Sequence, residues 1–549
     1  VLDAATYNRI AVQGDPHGPY WQPPLYPWFL RAVYAAAGGS SPTAVRILQA
    51  VLGAATAAGV VLLARRLTTP SWATGAGLAA ALLAPLVIAD VELLPGGLAA
   101  FFVAFWTLGL LNRGAPRGAW CRARPVVLGI ALGAALLLIP TLALAAAPAF
   151  GWWWRREGWR PVTVAALLAA LPVLGVTARN MGYEADPVPI SYNGGINFWI
   201  GNNPEYPSSV GIRPGLRWTH LVERPRCEGG AVTGAQESAW FAGQARRFAA
   251  AEPLLFVRNV LWKAAATLSA REIGRNRDDY AVRSESPPMR FLLWPAGFPC
   301  GLLLPLAVAG IVALWRARVN DVREPALLLV LVALGVLLSS VIFFPTARYR
   351  VPALPLLVVL AGAGLHRVRL GAAAAGAAAL VVAFLPHGVP PIPASETFSE
   401  IAIDLDLDGR TAEAVPFFEQ ALALAPDDAD AHLGLGLALG KLGRDAEGRQ
   451  HLERATELDA RADVAWQALG VYWIKAHDVD RARASLEKAV ALDPCNRRAL
   501  AMLAHALMDQ GNLNQARARL EEAGRRYRRG DPEIAKAWAR LEQLGGMKR

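Results

Sequence analysis

Asp408-Gly409-Arg410-Thr411-Ala412-Glu413-Ala414 returns as Leu442-Gly443-Arg444-Asp445-Ala446-Glu447-Gly448. It returns again as Ala476-His477-Asp478-Val479-Asp480-Arg481-Ala482 and as Gln510-Gly511-Asn512-Leu513-Asn514-Gln515-Ala516, each time 34 residues on. Ala421, Ala455, Ala489 and Ala523 keep the same period, and Pro426, Ala460 and Pro494 close the second helices. Small residues at fixed positions let paired helices pack closely, and a Leu-Asp-Pro type of ending stops the helix before the next turn. A unit of this length buries its apolar face only by stacking on its neighbours. Read outward from this stretch, the chain is expected to be all-α.

The pattern resembles the tetratricopeptide repeat (TPR), a helix–turn–helix unit, with three to four copies over residues 399–526. The resemblance implies a soluble α-solenoid over residues 399–549, whose concave surface binds a protein partner or acceptor. A Pro-rich linker, residues 387–398, separates it from the chain before.

Ahead of the linker the composition changes. Of the 549 residues, 54% are hydrophobic and only 18% charged, and the mean hydropathy is +0.30. A soluble chain carries about a quarter charged residues, so the composition argues against an ordinary cytosolic enzyme and excludes disorder. Four cysteines are too few for a disulfide-stapled secreted scaffold. After residue 395 there are 26 acidic and 22 basic residues, whereas the first 395 hold 18 and 33. The basic excess thus belongs to the apolar part, in clusters that suit membrane surfaces rather than nucleic acid.

Apolar runs read as long enough to cross a bilayer, roughly 17–25 residues, recur at residues 44–64, 72–89, 96–111, 126–150, 161–178, 291–315, 326–344, 351–365 and 371–386. Arg65-Arg66, the Arg113 to Arg124 cluster, Arg155-Arg156-Arg160, Arg316-Arg318 and Arg367-Arg369 lie between them and mark cytoplasmic ends. The 126–150 run has basic clusters on both sides and Pro140 in its middle, so two short helices forming a hairpin are expected. Residues 3–34, 90–95, 179–290, 345–350 and everything after 386 are then external. The chain begins at Val1 with no initiator Met and no apolar helix before Asp3, which is read as a processed chain or one lacking its first transmembrane helix.

The first external segment carries Asp3 shortly before Tyr7, then Gly18-Pro19-Tyr20-Trp21-Gln22-Pro23-Pro24-Leu25-Tyr26-Pro27, and an Arg46-Ile47-Leu48-Gln49 helix. Further on come Pro189-Ile190-Ser191 and Asn193-Gly194-Gly195-Ile196-Asn197-Phe198-Trp199-Ile200-Gly201-Asn202-Asn203. In this order the motifs resemble the polytopic GT-C glycosyltransferases, which include protein mannosyltransferases and the lipid A aminoarabinose transferase. The resemblance spans most of residues 1–365. It implies transfer of a sugar from a polyprenyl-phosphate donor at the external membrane face of a bacterial inner membrane, with the TPR domain periplasmic.

In that family an acid in the first external loop acts on the acceptor, and the matching residue is Asp3. Asp90 and Glu92, in the second external turn, are further catalytic candidates, with Glu92 the better match. Two carboxylates on facing loops would share a proton or hold a divalent metal ion, and the sequence leaves both open. Arg348 and Arg350 lie in an external loop, where Arg is disfavoured unless it meets an anion, and guanidinium forks suit a donor phosphate. Arg179 and Lys263 are added to that phosphate-binding set. For Lys263 the alternative is snorkelling to lipid headgroups from a basic amphipathic helix that starts near Glu252. Tyr7, Tyr20, Asn193 and Asn202 are the candidates for substrate contact.

No Gly-rich phosphate loop, Cys-x-x-Cys pair or His-Glu-x-x-His motif is present. Cys121, Cys227, Cys300 and Cys495 are expected on different layers, without a disulfide. Alternatives to the glycosyltransferase reading are an O-antigen or polysaccharide ligase or polymerase, and a non-catalytic membrane-anchored TPR scaffold. The expected partners are the lipid-linked donor, membrane lipid and a protein.

Overall fold

The computed structural model describes residues 2–112, 118–212, 216–274, 280, 283, 286–294, 297–317, 320–365, 367, 370–389, 392–526 and 532–546. Apart from an isolated bridge between Trp294 and Phe298, all regular structure among them is helical. The all-α expectation holds. The chain forms two compact units, Asp3–Gly211 with Phe241–Pro391, and Ile212–Trp240 with Ile392–Arg549.

The first unit is a bundle. Five of its helices are long and apolar enough to cross a membrane: Pro42–Ala64, Ala119–Leu138, Trp159–Met181, Asp321–Ile342 and Ala347–Leu365. Gly96–Leu111, Cys300–Arg316 and Leu370–Ala383 are apolar but shorter. Two expected spans are interrupted. The 72–89 run is two helices, Pro70–Ala81 and Ala84–Val91, bent by 49°. Pro85 stands at the start of the second helix, where its missing N–H is tolerated, but its ring would clash inside a continuous one. The 291–315 run becomes a short helix, Pro287–Leu292, and a separate one beginning at Cys300.

The 126–150 run breaks at Pro140, between helices Ala119–Leu138 and Ala143–Glu157. Arg124, near the start of the first, donates to both carboxylate oxygens of Glu157, at the end of the second, at 3.0 and 2.8 Å. Its guanidinium also sits 4.9 Å from the Trp153 ring centroid. The two basic flanks therefore return to one end, as a hairpin requires. Elsewhere the bundle packs at backbone distance: a methyl on Gly364 would overlap the Gly310 backbone, so the helices carrying them touch without side chains between.

In the second unit the 34-residue period has a direct conformational cause. Gly409, Gly443 and Gly511 have φ of +79°, +77° and +77°, and His477 has φ of +60°. Each repeat thus turns between its helices through one left-handed residue, the conformation that glycine adopts most easily. Ala414, Ala421, Ala455, Ala482, Ala489, Ala516 and Ala523 have no exposed surface, so no larger side chain fits at those crossings. Leu486, Leu500, Leu503 and Leu520 fill the core between later repeats; full burial of each contributes about 1.5–3 kcal/mol. The first repeat helix is Ala394–Leu407, five residues ahead of the expected start. A last helix, Pro532–Gly546, buries Ile534, Ala537 and Leu541 against the final pair.

Residues 212–240, expected as part of a loop of the apolar region, contribute the helix Leu216–Cys227 to the repeat unit. Cys227 and Cys495 form a disulfide, which corrects the expectation that no cysteines pair. The two cysteines are 268 residues apart, and nothing along the chain placed them side by side. Cys121 and Cys300 are free.

Candidate functional site

In the bundle, the Arg46–Gln49 motif explains itself as an anchor. The Gln49 amide donates to the carbonyls of Glu92 (2.8 Å), Asp90 (3.0 Å) and Ala89 (3.4 Å), and its carbonyl accepts from the Tyr26 hydroxyl at 2.7 Å. Arg46 donates to the Val91 carbonyl at 3.1 Å. One turn of Pro42–Ala64 thereby fixes the turn that carries both acidic candidates. Tyr7 packs edge-on against Tyr26, with ring centroids 5.2 Å apart. Tyr7 and Tyr20 are both buried. The Asp3 side chain lies outside the described residues; its backbone belongs to the helix Leu2–Gln13.

Asp90 and Glu92 face different spaces. The Asp90 carboxylate fits between Gly53 and Gly97, since a methyl on either would overlap it. It lines a cleft with Thr56, Ala80, Leu86 and Ala100. Glu92 lines a separate small cavity with Arg348 and Glu272. The structure thus brings together two predicted residues, Glu92 and Arg348, and a third that sequence reasoning missed. Glu272 was legible only as an acid beside Arg271; its partners come from distant helices. Its carboxylate accepts from Arg350 at 2.5 Å and from the Cys300 thiol at 2.8 Å.

The other predicted phosphate-binding residues are engaged inside the protein. Arg350 is buried, and besides Glu272 its guanidinium donates to the carbonyls of Ser269, Arg271 and Thr267. Arg179 donates to the carbonyls of Pro16 and Gly18, each at 2.7 Å, with its guanidinium 4.0 Å from the Tyr20 ring centroid. It staples the first segment to the end of Trp159–Met181. Asn180 adds to this, accepting from the Tyr20 amide at 3.3 Å.

Lys263 lies on Pro253–Thr267 with no exposed surface, so it does not snorkel. That helix presents Leu254, Val257 and Leu261 outward and turns Asn259 and Lys263 inward. The Lys263 ammonium donates to the Asn202 side-chain carbonyl at 2.7 Å. Asn202 donates to the Ile342 and Phe198 carbonyls at 2.9 and 2.8 Å. Burial pushes the Lys263 amine down to about 7. Asn193 caps no backbone group with its side chain and accepts from the Ser191 hydroxyl at 3.1 Å. The bundle also holds an apolar groove of about 700 Å³, walled by Trp72, Leu82, Trp294, Phe298, Leu302 and Val358 among others.

In the repeat unit, His220 of the helix Leu216–Cys227 meets two carboxylates. Its Nδ1 lies 2.7 Å from Asp493 and its Nε2 3.3 Å from Asp463. Burial works to lower the His220 pKa, but the Asp493 and Asp463 carboxylates, with Glu223, raise it above its ordinary value. Glu223 pairs with Arg497 at 3.0 Å. None of these partners was marked by sequence spacing.

The family described as tetratricopeptide repeat matches residues 407–470 and 474–541, so the C-terminal part carries TPRs. Among solved structures, a crystal structure of MamA is 21% identical, covering 24% of this chain and 77% of that one, with a TM-score of 0.23. PilF of Pseudomonas aeruginosa is 21% identical, covering 27% and 67%, with a TM-score of 0.26. The O-GlcNAc transferase of Thermobaculum terrenum is 25% identical, covering 24% and 26%, with a TM-score of 0.24. No curated protein matches the chain.

Proposed function

We propose that the chain is an integral membrane glycosyltransferase that moves a sugar from a polyprenyl-phosphate donor to an acceptor hydroxyl at the external membrane face, with its TPRs holding a protein partner or acceptor. The observation that carries this reading is the cavity shared by Glu92, Glu272 and Arg348, set on a turn fixed by Gln49 and Arg46. A carboxylate beside a guanidinium is what general-base attack next to a leaving phosphate needs. In the reaction the acceptor oxygen bonds to the anomeric carbon as the bond from that carbon to phosphate oxygen breaks. The hydroxyl proton passes to a carboxylate, Asp3 or Glu92, and polyprenyl phosphate leaves with the electron pair. The apolar groove suits the prenyl chain.

The external side is supported by the disulfide. Structural disulfides persist in oxidising compartments. Cys227 and Cys495 must then share one side, so the apolar helices between them cross an even number of times. Of those, Asp321–Ile342 and Ala347–Leu365 are long enough to cross, and two crossings satisfy the requirement.

The test is release of free polyprenyl phosphate from a polyprenyl-phosphate hexose by the purified protein, compared with Asp3→Asn and Glu92→Gln. Release lost in either variant supports the reading, and no release from the unaltered protein across several donors overturns it. A second reading, a non-catalytic membrane-anchored scaffold, is favoured by the TPRs themselves. It leaves the Glu92 cavity without a use.

A further inference from the structure

We propose that His220, Asp463 and Asp493 form a binding site for a divalent transition cation of the zinc or manganese type. One donor atom from each of the three lies within 4.8 Å of the others. Each ligand comes from a different element. His220 stands on Leu216–Cys227, Asp463 opens the helix Asp463–Lys475, and Asp493 follows Val479–Leu492. A cation there pins the inserted helix to two successive repeats.

Each carboxylate is held by a further hydrogen bond, and that of Asp493 reaches the oxygen turned away from the imidazole, as is common for a ligand of a metal. Asp463 Oδ2 accepts from the Asn496 side-chain amide at 2.9 Å. Asp493 Oδ1 accepts from the Cys495 backbone N–H at 2.8 Å, which leaves Oδ2 for the site. The disulfide between Cys227 and Cys495 joins two of the three elements covalently, so the ligand positions are set before any ion arrives. Charge points the same way. Two carboxylates and a neutral imidazole carry −2, which a divalent cation cancels.

One imidazole nitrogen with two carboxylate oxygens suits zinc or manganese better than calcium, which takes oxygen ligands alone. Three protein ligands leave further positions to water. A second pair of imidazoles, His432 and His451, with their Nδ1 atoms 2.9 Å apart, offers two ligands only and serves as the comparison.

The experiment uses the full chain, free of any polyhistidine tag, purified in detergent and stripped with a chelator. It is titrated with Zn²⁺ and Mn²⁺, and bound metal is counted by mass spectrometry. The expected result is one ion per chain, with affinity falling at least tenfold in His220→Ala and in Asp463→Asn. The second variant keeps the side-chain shape. In both, the Cys227–Cys495 link, read by non-reducing electrophoresis, reports that the inserted helix is still docked. The paired variant His432→Ala/His451→Ala should bind as the unaltered protein does. The proposal is overturned if the unaltered protein binds no more metal than Asp463→Asn, or if the ion is lost with His432 and His451 instead.

Discussion

Cys227 and Cys495 are bonded to each other across 268 residues of chain, and both belong to the unit built by the TPRs. The C-terminal repeats are therefore not an independent appendage. They fold together with a segment that interrupts the apolar region. Cys227→Ser should lose a mobility difference between reduced and non-reduced protein. It should also lower the unfolding midpoint of the repeat unit, by the equivalent of about 2–5 kcal/mol for a long closed loop. In intact cells a membrane-impermeant thiol reagent, applied after reduction, should label both positions. Labelling only after permeabilisation would refute the external placement.

Gln49 is the residue on which the acidic turn depends. Gln49→Leu leaves the carbonyls of Asp90 and Glu92 and the Tyr26 hydroxyl without their partner, at about 1–3 kcal/mol for each buried group left unmade. A drop in thermal stability with a loss of polyprenyl phosphate release is expected. Tyr26→Phe, which removes one of these bonds, should have the smaller effect on both. Equal effects from the two variants would contradict this account.

Lys263 gives a pH signature. Its amine titrates near 7 in the folded protein, pushed down by burial, against about 10.4 in an unfolded chain. Between those values the unfolded chain holds a proton that the folded one lacks, so stability rises with pH from about 7 to 10. Below 7 this contribution is flat. Lys263→Met should remove the slope, seen as a thermal midpoint that no longer climbs between pH 7 and 9.

His477 stands where three other repeats use glycine, at the same left-handed turn. A left-handed conformation costs a non-glycine residue roughly 1–2 kcal/mol. His477→Gly should raise the melting temperature of the repeat unit, partly offset by the added freedom of glycine in the unfolded chain. A lower melting temperature would show that the imidazole itself holds the turn.

What the sequence made legible was local. The glycine at residues 409, 443 and 511 announced a turn because its conformational need is intrinsic to that residue type. Pro140 announced a break for the same kind of reason. Runs such as residues 161–178 were readable as helices because apolar composition and length suffice. Where a run contained Pro85 or Pro299, composition alone overstated the helix.

The candidate site was legible only in part, because burial is not a property of residue type. Arg350 and Lys263 read as cations for a donor phosphate, yet the fold surrounds one with Glu272 and carbonyls and the other with Asn202. Glu272 was not among the candidates, and the fold makes it a buried partner of Arg350 and Cys300.

By itself, then, the sequence determined the helical class, the 34-residue array and the apolar character of the first part, because periodicity and composition act over a few turns of chain. Only the tertiary structure decided that residues 212–240 belong with the repeats, that Cys227 finds Cys495, and that Glu92 and Arg348 share a cavity while Asp90 does not. Those are contacts between residues tens to hundreds of positions apart. They depend on which faces pack together, and no local preference of the chain records that.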